Sequence, residues 1–238
     1  DCFLGEAKIT TPWTVQIRNS DGDSQEFSAR SIIVAAGAKP IVPPLPGLKD
    51  VDYATSDTIW DIEKLPQKLI VIGGGAIGCE LSQAFQRLGS EVVLIESLDR
   101  ILVKEDDVVS DAINNKLSDE GIAILTRHRA KGFITENNKQ YLVCDSPNGE
   151  LRLAFDKVLF AIGRQANTMG YGLEDIDAIT RDDKIVPTNE YLQTKYPNVY
   201  ACGDVTGKMQ FTHAAAHQAW YASVNALFGT FKKFSVDF

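Results

Sequence analysis

The chain has 238 residues, of which 44% are hydrophobic, and a formal net charge of −8 at pH 7. This composition predicts a globular protein of one large or two modest domains. The acidic balance argues against nucleic acid as a partner, because binding there depends on neutralising phosphates with Lys and Arg. No apolar run approaches the ~20 residues that span a bilayer, and the first residues lack the pattern of a secretory leader. We therefore expect a cytoplasmic protein without a membrane span.

The four cysteines, Cys2, Cys79, Cys144 and Cys202, are scattered without CxxC or CxxxxC spacing. They therefore predict neither a disulfide framework nor a zinc site, and we expect no metal site. The chain opens without Met, inside a strand-like pattern, and closes without a polar tail, whereas natural termini are usually polar surface pieces. This pattern indicates a piece of a longer polypeptide.

The first buried strand along the chain lies in SIIVAAGAKPIVPPLPG, residues 31–47. The strand ends in a turn of small residues and is followed by a proline-rich linker. Such a linker is typical of a chain that leaves one domain and enters another. We therefore assign residues 1–51 to the first segment of a domain.

The next strand ends in three consecutive glycines in KLIVIGGGAIGCEL, residues 68–81. Gly73, Gly75 and Gly78 fit GxGxxG. The first glycine of this motif allows a tight turn, the second lets a pyrophosphate approach the backbone, and the third lets helix and strand pack closely. Apolar residues at helical spacing follow at Ile77, Leu81, Ala84, Phe85 and Leu88, which predict a helix that buries this face. Gly89 is expected to end the helix as a C-terminal cap.

A second apolar strand, residues 92–95, ends in Glu96, about 20 residues beyond the glycines, where a carboxylate can bind ribose hydroxyls. Strand, glycines, helix, cap, second strand and acid in this order predict a dinucleotide site rather than a merely structural βαβ turn. A carboxylate accepts hydrogen bonds from a free 2′-hydroxyl but repels a 2′-phosphate, and no arginine follows it directly. The sequence therefore favours NAD over NADP.

The remaining elements of this module continue the pattern. A second helix is expected to end at Gly121, and further strands flank turn signals at Asn137–Asn138 and Asn148–Gly149. The strand in KVLFAIGR runs to Gly163. In an open α/β sheet ligands bind beyond the carboxyl ends of the strands, so we expect Gly163 to face the same cofactor. Residues 52–165 are thus predicted to form a nucleotide-binding domain.

The last predicted strand, in YPNVYACGDVTG, runs to Gly203–Asp204, and a helix opens in QFTHAAAHQAWYASVNALFG. At these residues the chain resembles the pyridine nucleotide–disulfide oxidoreductases, flavoproteins that include dihydrolipoamide dehydrogenase, glutathione reductase and mercuric reductase. TSDTIWDIEKLPQKLIVIGGGAIGCEL is similar to the start of the family's NAD(P) domain, and NVYACGDV is similar to its return to the FAD domain. The final helix most resembles the mercuric reductase-like branch.

The resemblance implies an α/β, Rossmann-like FAD/NAD(P)-binding fold. A complete NAD(P)-binding domain, 52–165, would be inserted in an incomplete FAD-binding domain formed by 1–51 and 166–238. The chain would then be the central fragment of an enzyme that passes hydride from NADH to FAD and, in the intact protein, to a redox cysteine pair. The resemblance also implies that the intact protein is a homodimer, joined through a C-terminal domain that this chain lacks.

The resemblance further implies two sets of cofactor-binding residues. On the nicotinamide side they are Gly73, Gly74, Gly75, Ala76, Ile77, Gly78, Glu80, Glu96, Ala130 and Gly163. On the FAD side they are Gly5, Ala36, Gly37, Ala38, Asp204, Gln210, Phe211, Thr212 and His213. Asp204 would accept a hydrogen bond from the ribityl chain. The backbone at Gln210 to His213 would lie by the flavin ring, where the start of a helix supplies a partial positive charge.

Two positions depart from the family pattern. Ala36 stands where the family's Ala-Thr-Gly turn has threonine, so any hydroxyl contact at that point is absent. Ala76 stands where many members carry a tyrosine that gates the nicotinamide pocket, and this sequence has no such gate there.

The family's first FAD glycine motif, its CxxxxC redox pair and its C-terminal catalytic histidine are not in this chain. We therefore expect no catalytic residue here and an inactive fragment. Cys79 and Cys202 lie beside glycine turns in apolar sequence and are expected to be inert small hydrophobes. Two alternatives remain open. One is a flavin NADH oxidase or ferredoxin reductase that lacks redox cysteines, and the other is a nucleotide-binding module without activity.

Overall fold

The structure is a computed structural model that describes residues 1–179, 184–207 and 209–235. Lys208, which lies in the predicted segment 166–238, is outside the described residues. The chain divides into two compact units, one formed by Asp1–Lys39 with Gln165–Phe238 and the other by Pro40–Arg164. They are named the split unit and the inserted unit below.

The described residues form strands, α-helices and short 3₁₀ helices. The strands are β1 (Glu6–Thr11), β2 (Thr14–Arg18), β3 (Ser24–Ser28), β4 (Ile32–Val34), β5 (Ala38–Pro40), β6 (Tyr53–Thr55), β7 (Lys68–Ile72), β8 (Glu91–Ile95), β9 (Ala123–Leu125), β10 (Arg129–Glu136), β11 (Lys139–Ser146), β12 (Gly149–Phe155), β13 (Lys157–Phe160), β14 (Arg164–Ala166) and β15 (Val199–Ala201). The α-helices are α1 (Ala76–Leu88), α2 (Asp107–Asp119) and α3 (Thr212–Phe228). The 3₁₀ helices lie at Leu48–Asp50, Ile59–Asp61 and Gly203–Thr206.

The inserted unit is built on a five-stranded parallel sheet in the order β6-β13-β7-β8-β9. The central strand β7 carries the predicted apolar run. Leu69 and Val71 pack in a core cluster with residues of α1 and α2. Ile70 and Ile72 pack in a second cluster with residues of β10, β11 and β12. Successive side chains of a strand point to opposite faces, so a strand buried on both faces is apolar at every position. The α/β fold class predicted from the sequence is confirmed.

Helix α1 ends as the sequence predicts, although its buried face differs from the expected one. Gly89 has a φ of 109° at the C-terminal cap. Leu81 and Phe85 are buried, but Leu88 is 66% exposed. The buried positions run through Gly78, Leu81 and Phe85, and with 3.6 residues per turn this face continues to position 89 rather than to Leu88.

A three-stranded antiparallel sheet, β10-β11-β12, precedes β13. Asn137 and Asn138 form the tight turn between β10 and β11, with φ values of 50° and 61°, and Glu136 pairs with Lys139 across it. Two consecutive positive φ values are typical of the hairpin turn that matches strand twist, and asparagine tolerates them better than most residues. The predicted turn at this point is confirmed.

The split unit contains the antiparallel sheet β1-β2-β3 and the parallel pair β4-β15. Val199 and Ala201 of β15 pack in one core cluster with residues of β4. Tyr200 packs in another cluster with Ala222 of α3, so α3 covers that face of β15. Strands β5 and β14 pair in a two-stranded sheet. They contain the two points at which the chain passes from one unit to the other, after Lys39 and after Arg164. Among the described residues, no helix is both long and apolar enough to span a membrane.

Candidate functional site

The glycine turn after β7 needs glycine at its first and third motif positions. Gly73 has a φ of 111°, and a Cβ there would lie 2.5 Å from the Ala161 carbonyl oxygen. A Cβ on Gly78 would overlap the Gly73 carbonyl oxygen. At Gly75, by contrast, a Cβ would meet nothing within 4 Å. The turn therefore packs tightly against its own sheet on one side and leaves open space at its middle glycine.

The start of α1 is exposed and has no side-chain cap. Gly75 is the N-cap of the helix and makes no side-chain cap hydrogen bond. Gly75 and Ala76 are exposed. The first backbone N–H groups of a helix have no intrahelical acceptor, and together with the helix dipole they favour an anion. The N–H groups at Ala76, Ile77 and Gly78 are thus the donors that a diphosphate would meet.

Glu96 is held against the glycine turn by hydrogen bonds to both carboxylate oxygens. Its Oε2 accepts a hydrogen bond from the Gly74 N–H at 2.7 Å. Its Oε1 accepts one from the Leu98 N–H at 2.8 Å and one from the Ser97 hydroxyl at 3.1 Å. A Cβ at position 74 would lie 3.2 Å from Glu96 Oε2, so glycine permits this close approach. The carboxylate is therefore fixed at the carboxyl end of β8, beside the turn.

The loops around Glu96 hold it in place through the backbone. Leu102, at a positive φ of 49°, donates its N–H to the Gly74 carbonyl oxygen at 2.7 Å. The His128 N–H donates to the Glu96 carbonyl oxygen at 3.0 Å. Ala130 follows on β10 and packs against the core cluster on the β10-β11-β12 side of the sheet. A non-glycine residue at positive φ is strained and persists where its surroundings fix it, and no sequence pattern indicated the role of Leu102.

Gly163 lies beyond the carboxyl end of β13, the strand next to β7. It has a φ of 118°, and its carbonyl oxygen accepts a hydrogen bond from the Ile41 N–H at 3.0 Å. Glu80 is exposed in the first turns of α1. The glycine turn, Glu96 and Gly163 thus follow three adjacent parallel strands, at the sheet edge where α/β proteins bind ligands.

In the split unit, Asp204 lies in the 3₁₀ turn that follows β15. Its neighbours Gly203, Val205 and Thr206 are buried, while Asp204 is partly exposed. Gly203 has a φ of 78°, and a Cβ there would lie 3.3 Å from the Ala215 Cβ of α3. Helix α3 therefore packs directly on the turn that carries Asp204.

The turn at Ala36, Gly37 and Ala38 follows β4, the partner strand of β15. Gly37 has a φ of 66°. The Asn167 side chain donates its Nδ2–H to the Ala36 carbonyl oxygen, and the Asn167 N–H donates to the Gly37 carbonyl oxygen, both at 2.9 Å. The paired strands β4 and β15 are parallel, so this turn and the Asp204 turn leave the same end of the pair. Asn167 was not found from the sequence, because no apolar pattern marks such a bond.

Gln210, Phe211, Thr212 and His213 are all exposed and lie where α3 begins. Phe211 is the N-cap without a side-chain cap hydrogen bond, and its ring stacks on that of His213 with centroids 5.4 Å apart. Gly5 precedes β1, in a different sheet from the β4-β15 pair. A Cβ on Gly5 would overlap the Arg18 carbonyl oxygen, so close packing of the β1-β2 pair requires glycine there.

Three of the four cysteines are buried, and Cys2 is exposed. Burial raises the pKa of Cys79 to about 11 and that of Cys144 to about 12. Burial also raises the pKa of Cys202. A thiol must ionise to act as a nucleophile, so these three remain protonated at neutral pH. Within the described ranges no cluster of His, Cys, Asp and Glu could hold a metal ion.

The chain is similar to two curated reductases and to a solved flavoprotein. It is 36% identical to mercuric reductase from Staphylococcus aureus over 228 residues, and this match covers 95% of this chain and 41% of that protein. It is 39% identical over 204 residues to dihydrolipoyl dehydrogenase from Chlamydia pneumoniae, covering 85% of this chain and 43% of that protein. The HOCl-induced flavoprotein disulfide reductase RclA from Escherichia coli matches with a TM-score of 0.86 at 27% identity, covering 98% of this chain and 52% of that chain.

The chain thus spans less than half the length of these curated relatives. Residues 3–219 match the family described as pyridine nucleotide-disulphide oxidoreductase. Members of this family are FAD-dependent and use NAD(P)H. The strand–glycine–helix–acid arrangement and the two turns after β4 and β15 lie within the matched residues. The chain belongs to the pyridine nucleotide-disulphide oxidoreductase family.

Proposed function

We propose that the chain is the nucleotide-binding portion of an FAD- and NADH-dependent oxidoreductase. The observation that carries this proposal is the pairing of an open, uncapped start of α1 with the Glu96 carboxylate beside it. When bound, NADH would supply a hydride and FAD would accept it, and in the intact protein a cysteine pair would receive the reducing equivalents.

The inserted unit is the proposed NAD domain, with residues 52–165 as the segment expected from the sequence. The backbone N–H groups at Ala76, Ile77 and Gly78 would bind the diphosphate, and Glu96 would accept hydrogen bonds from the adenosine ribose. Glu96 favours NAD, because a 2′-phosphate would bring negative charge against a carboxylate that its three donors keep in place. The other residues of the proposed nicotinamide-side set are Gly73, Gly74, Gly75, Glu80, Ala130 and Gly163.

The split unit, predicted as 1–51 with 166–238, is the proposed part of an FAD domain. Asp204 would accept the ribityl hydrogen bond, and the start of α3 would face the flavin ring. The turn at Ala36, Gly37 and Ala38 would contact the same cofactor, since β4 and β15 are neighbours. Gly5, Gln210, Phe211, Thr212 and His213 complete this set. The glycine turns and the exposed start of α3 fit a flavin chemically. They offer backbone N–H donors, and glycine has no side chain that would keep the cofactor from the backbone.

The proposal assigns no catalytic residue to this chain. The raised pKa values of Cys79, Cys144 and Cys202 argue against a thiolate nucleophile among them. Under this proposal, a redox cysteine pair would lie in other parts of the intact protein. By resemblance, we further propose that the intact protein is a cytoplasmic homodimer. Native mass spectrometry of the intact protein tests its subunit number.

Ala76 and Ala84 offer a matched test of the dinucleotide site, because both are exposed on α1 and only Ala76 lies at its start. In Ala76→Asp a carboxylate stands where the diphosphate would bind, and an acid at a helix start does not destabilise the helix. We expect this variant to bind NADH at least about tenfold more weakly by calorimetry, the effect of one lost charge-assisted interaction. Ala84→Asp should bind NADH like the parent chain. Equal binding by both variants would place the diphosphate elsewhere.

A further inference from the structure

Helix α3 buries two amide side chains on the face that packs inside the split unit. The buried residues of the helix are Ala214, Gln218, Ala222 and Asn225. Gln218 is 0% exposed and Asn225 is 1% exposed. A buried amide is unfavourable unless its polar atoms find hydrogen-bond partners, so each of these side chains requires a structural explanation.

Gln218 binds the turn that carries Asp204. Its Oε1 accepts a hydrogen bond from the Gly203 N–H at 2.8 Å. The Thr206 hydroxyl, which lies 2.9 Å from the Gly203 carbonyl oxygen, is 3.3 Å from the same Gln218 oxygen. The residue before the turn provides no side-chain cap. Gln218 thus supplies the acceptor that the first N–H of this buried turn otherwise lacks.

The two polar atoms of the Gln218 amide differ in their hydrogen bonding. Among the described residues, Nε2 of Gln218 has no hydrogen-bond partner. Rotating the amide would not help, because Nε2 would then face the Gly203 N–H, donor against donor. Asn225 differs, because its Nδ2 donates to the carbonyl oxygens of Tyr191 at 3.1 Å and Lys232 at 2.8 Å. Gln218 therefore occupies a fully buried position although its Nε2 has no hydrogen-bond partner there.

We propose that Gln218 is a positioning residue of the flavin site. By accepting the Gly203 N–H, it fixes the turn in which Gly203, Val205 and Thr206 are buried and Asp204 alone is partly exposed. The Asp204 carboxylate is thereby held ready for the ribityl chain. This inference rests on the proposed function, because Asp204 contacts flavin only if the split unit binds FAD.

The test uses the whole chain with three single variants. Gln218→Met removes the acceptor at similar length, Gln218→Glu keeps an acceptor, and Asn225→Leu removes the other buried amide of the same helix face. FAD affinity is measured by flavin fluorescence at equilibrium, and exchange of the Gly203 amide hydrogen is followed without ligand. We expect Gln218→Met to weaken FAD binding about tenfold, as for loss of one buried hydrogen bond, and to speed hydrogen exchange at Gly203. Gln218→Glu should retain most of the FAD affinity and most of the exchange protection of the parent chain. Asn225→Leu should lower the melting temperature while leaving FAD affinity and Gly203 exchange unchanged.

A double variant distinguishes positioning from general destabilisation. If Gln218 acts through Asp204, Gln218→Met should weaken FAD binding little further in an Asp204→Asn background, since coupled residues are not additive. Fully additive losses, or Gly203 exchange that is unchanged in Gln218→Met, would overturn the inference. The parent titration separates the two ideas. A parent chain that binds no FAD overturns the assignment of the split unit to FAD and this inference with it, whereas equal FAD binding by the parent chain and Gln218→Met overturns only the inference.

Discussion

Glu96 is already hydrogen-bonded to backbone and side-chain donors before a cofactor binds. The Gly74 and Leu98 N–H groups and the Ser97 hydroxyl set its orientation. In the proposed site, selectivity for NADH over NADPH would come from this carboxylate, because its hydrogen bonds hinder it from turning away from a 2′-phosphate. Preorganisation of this kind avoids an ordering penalty on binding.

We expect Glu96→Ala to narrow the preference of the chain for NADH over NADPH. In the proposed site, charge-assisted bonds to the ribose would contribute about 1.5–3 kcal/mol, so the ratio of the two dissociation constants should fall about 10- to 100-fold. Calorimetric titration of both cofactors measures this ratio. Glu91→Ala is the control, because Glu91 begins the strand that Glu96 follows and so lies at its opposite end. Equal or tighter binding of NADPH by the parent chain would contradict the NAD assignment.

Single residues differ in how far the sequence reveals their part. The requirement for glycine at Gly73 and Gly78 can be predicted, because the GxGxxG motif marks positions where a Cβ would overlap neighbouring backbone atoms. The bond from the Gly74 N–H to Glu96 is not predictable, because it depends on one side-chain rotamer. Asn167 and Gln218 are equally hidden, since each bonds to a turn distant in sequence. Side-chain-to-backbone bonds of this kind leave no periodic signal.

At the scale of elements, Glu120 links the ends of α1 and α2. Its carboxylate accepts hydrogen bonds from Arg87 at 2.6 and 2.8 Å and from Gln83 at 3.1 Å, and it pairs with Lys116 at 3.2 Å. The Arg87 hydrogen bond, helped by Lys116, lowers the pKa of Glu120 from 4.5 to about 2. The charged form therefore favours the folded state.

The pH dependence of this link follows from the lowered pKa. The stabilisation is fully present above pH 4.5, the unfolded value, and is lost as pH falls towards about 2. Glu120→Gln should therefore melt a few degrees below the parent chain at pH 7, and the melting temperatures of the two proteins should converge as pH falls to about 2. The adjacent exposed acid offers a control, because Asp119→Asn should show no such convergence. A constant difference across the whole range would show that the charge is not the cause.

Elements with a strong local signal are predicted well, and the others are not. The runs in β7, β8 and β13 are apolar at consecutive positions because both of their faces are buried. The face of α1 was less predictable, because Leu88 fits an apolar stripe yet lies outside the buried one. Helical spacing shows that a helix is amphipathic, but the residues that it buries depend on the sheet beneath it.

At the scale of the molecule, the inserted unit begins earlier than the linker composition suggests. The division falls at Pro40, and the proline-rich stretch is not a bare linker. Val42, Leu45, Leu48 and Val51 pack against the core cluster on the β10-β11-β12 side. Apolar contacts of this kind stabilise a domain in proportion to the area they bury.

We therefore expect residues 40–164 to fold and bind NADH when produced alone. A shorter piece, 52–164, should melt at a lower temperature, because it exposes the core surface that those four side chains cover. Thermal unfolding and NADH titration of both pieces test this. Equal melting temperatures would mean that residues 40–51 contribute nothing to the core and would favour the boundary at 52.

The chain as a whole should not turn over disulfide, lipoamide or mercuric substrates, even with NADH and excess FAD. Its buried thiols have raised pKa values, and without a reactive thiol pair the covalent step of disulfide reduction is missing. NADH oxidation with each acceptor is the assay, and thiol-blocked protein is the control. Disulfide-dependent turnover that disappears on blocking would show that one of the four cysteines is redox-active.

The insertion also sets the order in which the chain can fold. Strands β4 and β15 pair in parallel register although the whole inserted unit lies between them in sequence. Before that unit is compact, joining them closes a very long loop, and the entropy lost grows with loop length. Once it is compact, β5 and β14 hold the two ends of the insertion together, and little loop remains to close. The split unit should therefore fold last, so that a substitution that unfolds the inserted unit delays or prevents assembly of the split unit without altering any of its residues.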